Sequence, residues 1–74
     1  MTYDYSALSG RIVEKCVTRK EFSRMMGIST HTISLKLNNK VQWTQNEIVK
    51  ACKILQIEIS DISYYFFTLN VQKN

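Results

Sequence analysis

The feature that most limits what this chain can become is Gly27, set between two helix-opening signals. Thr18-Arg19-Lys20-Glu21 has the capping-box form, a threonine followed three residues later by a glutamate. Gly27 ends any helix begun there, because glycine enters the left-handed conformation at little steric cost. Ser29 follows at once and can cap another helix from Thr30 to about Leu37. The segment 18–37 therefore reads as two short helices joined by a glycine turn, the layout of a helix-turn-helix. Phe22, Met25 and Met26 form the inward face of the first, Ile33 and Leu37 that of the second.

The same periodicity runs through the rest of the chain. Leu8, Ile12 and Cys16 recur every four residues behind Ser6, a residue suited to an N-cap, and Val13 and Val17 widen that stripe. Gly10 costs this helix about 1 kcal/mol relative to alanine, and a close backbone approach would account for it. Asn38-Asn39-Lys40 closes the third helix. A loop over 39–43 follows, with Trp43 expected over the start of a fourth helix that opens on a second capping box, Thr44-Gln45-Asn46-Glu47. Ile48, Ala51, Cys52 and Leu55 are its apolar face. Ser60 and Asp61 open a fifth helix with Ile59, Ile62, Phe66 and Leu69 inward, and residues 70–74 read as a frayed tail. With no proline and two glycines in 74 residues, helices are favoured over a turn-rich β fold. The expectation is one all-α, five-helix domain over 1–74.

Charge and cysteine usage narrow the function. The net charge of +4 is unevenly spread. Residues 11–40 hold seven bases (Arg11, Lys15, Arg19, Lys20, Arg24, Lys36, Lys40) against two acids, whereas residues 41–74 balance. Such a field attracts polyanions. Cys16 and Cys52 fall on apolar helix faces and read as buried thiols. With His31 they make three metal-ligand types where zinc needs four, and no CxxC spacing occurs, so no metal is expected. The absence of a long apolar run or a leader points to a cytoplasmic protein with no membrane partner.

Phe22-Ser23-x-x-Met26-Gly27-Ile28-Ser29-x-x-Thr32-Ile33-Ser34 resembles the helix-turn-helix of the lambda-repressor and Cro-like regulators. Tyr3-Asp4-Tyr5-Ser6, Gly10-Arg11-Ile12-Val13-Glu14-Lys15 and Leu35-Lys36-Leu37-Asn38-Asn39-Lys40 extend the likeness to nearly the whole chain. They resemble short Cro-type or modulator-of-repression proteins of temperate phages of Gram-positive bacteria. The chain departs from the wider class at three positions. Arg19 replaces a frequent glutamine, Ser23 a commoner alanine, and Lys36 stands where a buried leucine is usual. The resemblance implies a lambda-repressor-like fold whose third helix enters the major groove of an operator in double-stranded DNA. Thr30 and His31 then read bases, with Ser34 or Leu35 one turn on; the Lys36–Leu37 exchange leaves that choice open. Arg19, Ser29, Thr32, Lys36, Asn38 and Lys40 would hold phosphates. Arg24 and Lys20 read as solvated surface.

One such helix reads few base pairs, so the resemblance also implies a homodimer and a repressor role in a lysis–lysogeny switch. Tyr64-Tyr65-Phe66-Phe67 cannot all face inward on one helix, so Tyr64, Tyr65 and Phe67 are expected to form a partner or dimer surface. The alternative function is a modulator or antirepressor that binds a phage repressor protein. No cofactor is implied, and no nucleophile–base–orienter set suggests catalysis.

Overall fold

The computed structural model describes residues 2–70 as an all-helical unit. Helix α1 spans Ser6–Cys16, α2 Arg19–Met26, α3 Thr30–Leu37 and α4 Gln45–Leu55. A 3₁₀ turn, Ile59–Asp61, leads into the five-residue α5, Ile62–Phe66. α1 packs on α2, α4 and α5, and α2 packs on α3 and α4. Leu8, Ile12, Phe22, Ile33, Leu55 and Phe66 are the largest side chains fully enclosed between them. The expected membership of Ala51, Cys16, Cys52 and Met26 in this core holds, and both thiols are buried and unbridged. No helix of the described residues is long and apolar enough to cross a membrane.

Several local expectations give way to better-satisfied geometry. Tyr5, not Ser6, occupies the cap position of α1, and the Asp4 carboxylate accepts the Ser6 N–H at 2.9 Å. A carboxylate is the stronger acceptor for a helix-start amide, and hydrogen bonds from Ser6 hold its pKa below the ordinary value. α1 ends at Cys16, and Val13 and Val17 face solvent instead of widening the stripe. Val17 sits at φ 71°, ψ −46° under a 2.8 Å bond from Thr18 N–H to the Cys16 carbonyl. That is a positive-φ γ-turn, strained for a β-branched residue.

At α2 only half of the first capping box forms. Thr18 Oγ1 accepts the Glu21 N–H at 3.1 Å, but the Glu21 carboxylate turns to Arg24. A bidentate guanidinium outcompetes one backbone amide for it. Met25 is largely outward and Ser23 takes the buried place, its hydroxyl donating to the Lys20 carbonyl at 2.8 Å. Gly27 has the expected left-handed geometry, φ 77°, with Ile28 N–H on the Ser23 carbonyl at 3.1 Å. α3 closes in the same manner. Asn39 takes φ 62°, and Lys40 N–H reaches the Leu35 carbonyl at 2.8 Å. The Asn39 amide also clasps the N-terminal segment, accepting Tyr3 N–H at 2.8 Å and donating to the Tyr3 carbonyl at 2.9 Å.

The second capping box forms completely on Thr44 and Glu47. Trp43 precedes it, lines a cleft with Ile48, and stands edge-on to Tyr5 and Phe66 at centroid distances of 6.5 and 5.4 Å. At the far end of α4, Arg11 donates to the carbonyls of Leu55 and Gln56 at 2.9 Å each. Ile59 (83% exposed) and Leu69 point outward, contrary to expectation. The 3₁₀ start and the short α5 leave only Ile62, Tyr65 and Phe66 directed at the core. Asn70 is held by its N–H on the Thr2 carbonyl, 3.0 Å, beside an antiparallel bridge between Tyr3 and Leu69. The remainder of the expected tail, 71–74, lies outside the described residues.

Lys36 is the largest departure. It is 3% exposed and forms the inward stripe of α3 with Ile33 and Leu37. Its Nζ lies 2.8 Å from Glu47 Oε1, 2.9 Å from the Gln42 carbonyl and 5.8 Å from the Trp43 ring centroid. Burial pushes the Glu47 carboxyl up, but hydrogen bonds from Lys36 and Thr44 with the ammonium's charge outweigh it, leaving the pKa lowered.

Two stability measurements test this description. Gly10 has open space around its would-be Cβ, with nothing within 4 Å, so no close approach explains it. Gly10→Ala should therefore stabilise the fold by about 1 kcal/mol, a rise in Tm of about 4–8 °C; an unchanged or lower Tm would contradict the geometry. Glu47, with its lowered pKa, contributes stability that is complete above the unfolded value, about 4.3, and lost as pH falls through the folded value. Urea unfolding followed against pH should show a shallower acid loss in Glu47→Gln than in the unmodified chain. Asp4 and Glu21 contribute equally to both proteins, so identical slopes would exclude a role for the pair.

Candidate recognition surface

The sequence placed recognition on the outward side of α3, and side-chain rotation decides what that side carries. Ile33, Lys36 and Leu37 face the interior, so Thr30 and His31 are exposed, and Ser34 and Leu35 are both half-buried at its edge. The choice between Ser34 and Leu35 therefore dissolves: both border the outward face. Lys36 does not. Its ammonium is committed to Glu47 and Gln42, so it is withdrawn as a phosphate-holding residue. An ammonium buried this deeply must keep its partners, because their loss would strand a charge away from water.

The hydroxyls at the start of α3 are also engaged. Ser29 Oγ accepts the Thr32 N–H at 3.1 Å and donates to Thr32 Oγ1 at 2.9 Å. Thr30 Oγ1 and Ser23 Oγ lie 3.0 Å apart and share a hydrogen bond across the turn. That bond is what the small residue of α2 does here: it ties the two helices together. Arg19 and Asn38 line one shallow polar groove with Ser6, Ser9 and Asn39. The structure thus brings together two of the residues expected at phosphates, while Lys40 stands exposed beyond the end of α3.

Ion pairing reduces the basic field. Arg11 pairs with Glu14 at 2.9 Å, Arg24 with Glu21, and Lys36 with Glu47. Lys15, Arg19, Lys20 and Lys40 take part in no ion pair among the described residues. Next to Lys40, the backbone N–H of Val41 lies 3.4 Å from the Leu35 carbonyl, which brings the backbone of the exposed Val41 up to that of Leu35. The outward surface around α3 is accordingly more apolar and less cationic than its sequence suggests. Glu47 and Gln42, which complete it from behind, were missed; the signal was Lys36 itself, at the i+3 position of a stripe begun by Ile33.

In the C-terminal aromatic cluster, Tyr64 (62%) and Phe67 (48%) are exposed, and Phe67 packs edge-on to Tyr3 at 6.0 Å. Tyr65 is half-buried against the core and stands edge-on to Tyr64 at 5.1 Å. The partner surface expected there therefore contracts to Tyr64 and Phe67. No cluster of three or more His, Cys, Asp or Glu side chains able to hold a metal occurs among the described residues.

No curated protein matches this chain. Among solved structures, it is similar to the solution structure of the modulator of repression of the temperate bacteriophage TP901-1 from Lactococcus lactis. The two share 52% identity over 90% of each chain, with a TM-score of 0.79. A family model described as "Protein of unknown function (DUF739)" matches residues 1–69, and the chain belongs to that family.

Proposed function

We propose that this chain is a phage regulator that modulates repression by binding a partner repressor protein, using the outward face of α3 and the adjoining Val41. The observation that carries this reading is the inward turn of Lys36. It leaves α3 presenting Thr30, His31, Ser34 and Leu35 with no exposed cation on the helix itself. A DNA reader draws much of its affinity from cations at phosphates flanking its recognition helix. A protein partner instead wants an apolar centre with a polar rim. Leu35 and Val41 supply such a centre, and His31, Asn38 and Lys40 such a rim. The similarity to a phage modulator of repression supports the same reading.

Direct operator reading is the second proposal, favoured by one arrangement. α3 starts on a Ser29 cap with Thr30 and His31 exposed, and Arg19 heads the preceding helix beside Asn38. That is the order in which a helix-turn-helix meets DNA.

Titration calorimetry against the repressor encoded in the same phage genome, and against operator and random DNA from it over a range of salt, separates the two. For modulation, we expect a defined complex with the repressor that Leu35→Ala weakens about tenfold, more than most interface residues contribute. DNA binding should then stay in the non-specific range, about 10⁻⁴–10⁻⁶ M. Sequence-selective DNA binding with a steep salt dependence would overturn it in favour of operator reading. In that case Thr30→Ala and His31→Ala should relax sequence preference, and Lys40→Ala should weaken all sequences alike.

A further inference from the structure

Of the four longer helices, the one that carries the proposed docking face is the one least held by its neighbours. α1 and α2 each pack on three other helices, whereas α3 has its extensive helix contact with α2 alone. On the side facing α4 its tie is polar. Lys36 Nζ reaches Glu47 Oε1 at 2.8 Å and the Gln42 carbonyl at 2.9 Å, beneath the Trp43 ring. The same Glu47 oxygen accepts the Thr44 N–H at 2.9 Å. One ammonium therefore joins α3, the 38–44 loop and the first turn of α4.

We propose that Lys36 is a positioning residue, which fixes the rotation of α3 and holds Leu35 and Val41 as one preformed surface. It acts through geometry and not through net stability, and its functional part rests on the reading of α3 as the docking face. An aliphatic side chain at position 36 would fill the same space, but it has no directional demand. α3 could then settle at neighbouring rotations around its single helix contact. An ammonium has to meet a carboxylate oxygen and a carbonyl oxygen at once, and only one rotation does so. Buried ion pairs of this kind often contribute little net stability compared with well-packed apolar replacements, while serving to specify register. The loop has the same dependence. Gln42 and Trp43 make no backbone-to-backbone hydrogen bond with α3 or α4, so Lys36 is what ties Gln42 to α3, whereas Lys40 and Val41 N–H both point at the Leu35 carbonyl, at 2.8 and 3.4 Å. If α3 turns, that carbonyl and the apolar pair built around it turn with it.

The test is Lys36→Met in the full chain, since methionine matches the length of the lysine stem and leaves the Thr44–Glu47 capping box intact. Three quantities are read: Tm, amide hydrogen exchange at Lys40 and Val41 with Thr44 as the internal control, and affinity for the repressor encoded in the same phage genome. The expected result is a Tm equal to or above that of the unmodified chain. Exchange at Lys40 and Val41 should accelerate, and repressor affinity should fall, each by about tenfold, while Thr44, held by the intact capping box, should exchange as before. Glu47→Gln keeps an oxygen for the Thr44 amide but removes the charge, and should move exchange and affinity the same way. Unchanged exchange at normal Tm overturns the proposal, as does faster exchange with full repressor affinity. A large drop in Tm in both variants also overturns it, because Lys36 would then act through stability. Absence of repressor binding by the unmodified chain refutes the docking reading separately, and the exchange measurement still decides whether Lys36 holds α3.

Discussion

An ammonium group with almost no access to water must be given an anion and oxygen acceptors, and meeting that demand organises everything between Ile33 and Ile48. Lys36 reaches the interior because it sits on the stripe set by Ile33 and Leu37, not because the site is polar. The surroundings supply the compensation. Glu47 brings the charge, the Gln42 carbonyl a second acceptor, and the Trp43 ring a polarisable face. Glu47 can do this only because the Thr44 capping box already points its carboxylate back along α4. A helix-start device that normally satisfies two backbone amides is thereby extended into the tertiary contact that holds the third helix.

The other joints of the fold work by a related rule, that carbonyls and amides left over at a helix end are met by specific partners. Gly27 and Asn39 turn the chain left-handed so that the last carbonyls of α2 and α3 are met by the backbone. At Gln56, another left-handed residue, Ile57 N–H meets the Cys52 carbonyl in the same way, and the Arg11 guanidinium covers the carbonyls of Leu55 and Gln56 as well. The side chain of Asn39 then clasps both backbone groups of Tyr3, whose segment pairs with Leu69. These ties matter for α5, which at five residues is too short to persist by its own hydrogen bonds. It is held by burying Phe66 against Trp43 and by the pairing of the segments flanking it.

Most helices were legible because their signals were local. The caps at Thr18, Ser29 and Thr44, the stop at Gly27 and the four-residue recurrence of Leu8, Ile12 and Cys16 all concern residues a turn apart. The misreadings came where a second polar or charged group competed for the same partner. Asp4 displaced Ser6 at the start of α1, and Arg24 drew Glu21 away from its capping box. Met25 and Ile59 fitted an apolar period but stay exposed, Met25 touching the core only through its sulfur, 4.0 Å from Cys16 Sγ. At the recognition surface, Thr30 and His31 were placed outward correctly, whereas Lys36 was counted by its charge and not by its position on the helix. Its anion is eleven positions further along the chain, on another helix, and periodicity within α3 could not find it.

That placement also changes what a basic sequence means here. Of the seven bases between residues 11 and 40, three are tied to carboxylates, and two of these three do structural work at a helix end or in the interior. Lys15, Arg19, Lys20 and Lys40, which have no ion-pair partner among the described residues, sit at the end of α1, the start of α2 and the loop after α3. Spread over three elements, they raise the general attraction for anionic surfaces, and only Arg19 and Lys40 stand near α3. Long-range attraction of that kind speeds encounter with any acidic partner but does not choose among them. On the proposed reading, selection comes from short-range fit, and the groups this face offers for it are Thr30, His31, Ser34, Leu35 and Val41. A surface of that composition discriminates by shape and apolar contact, which a folded protein offers more readily than the edges of base pairs.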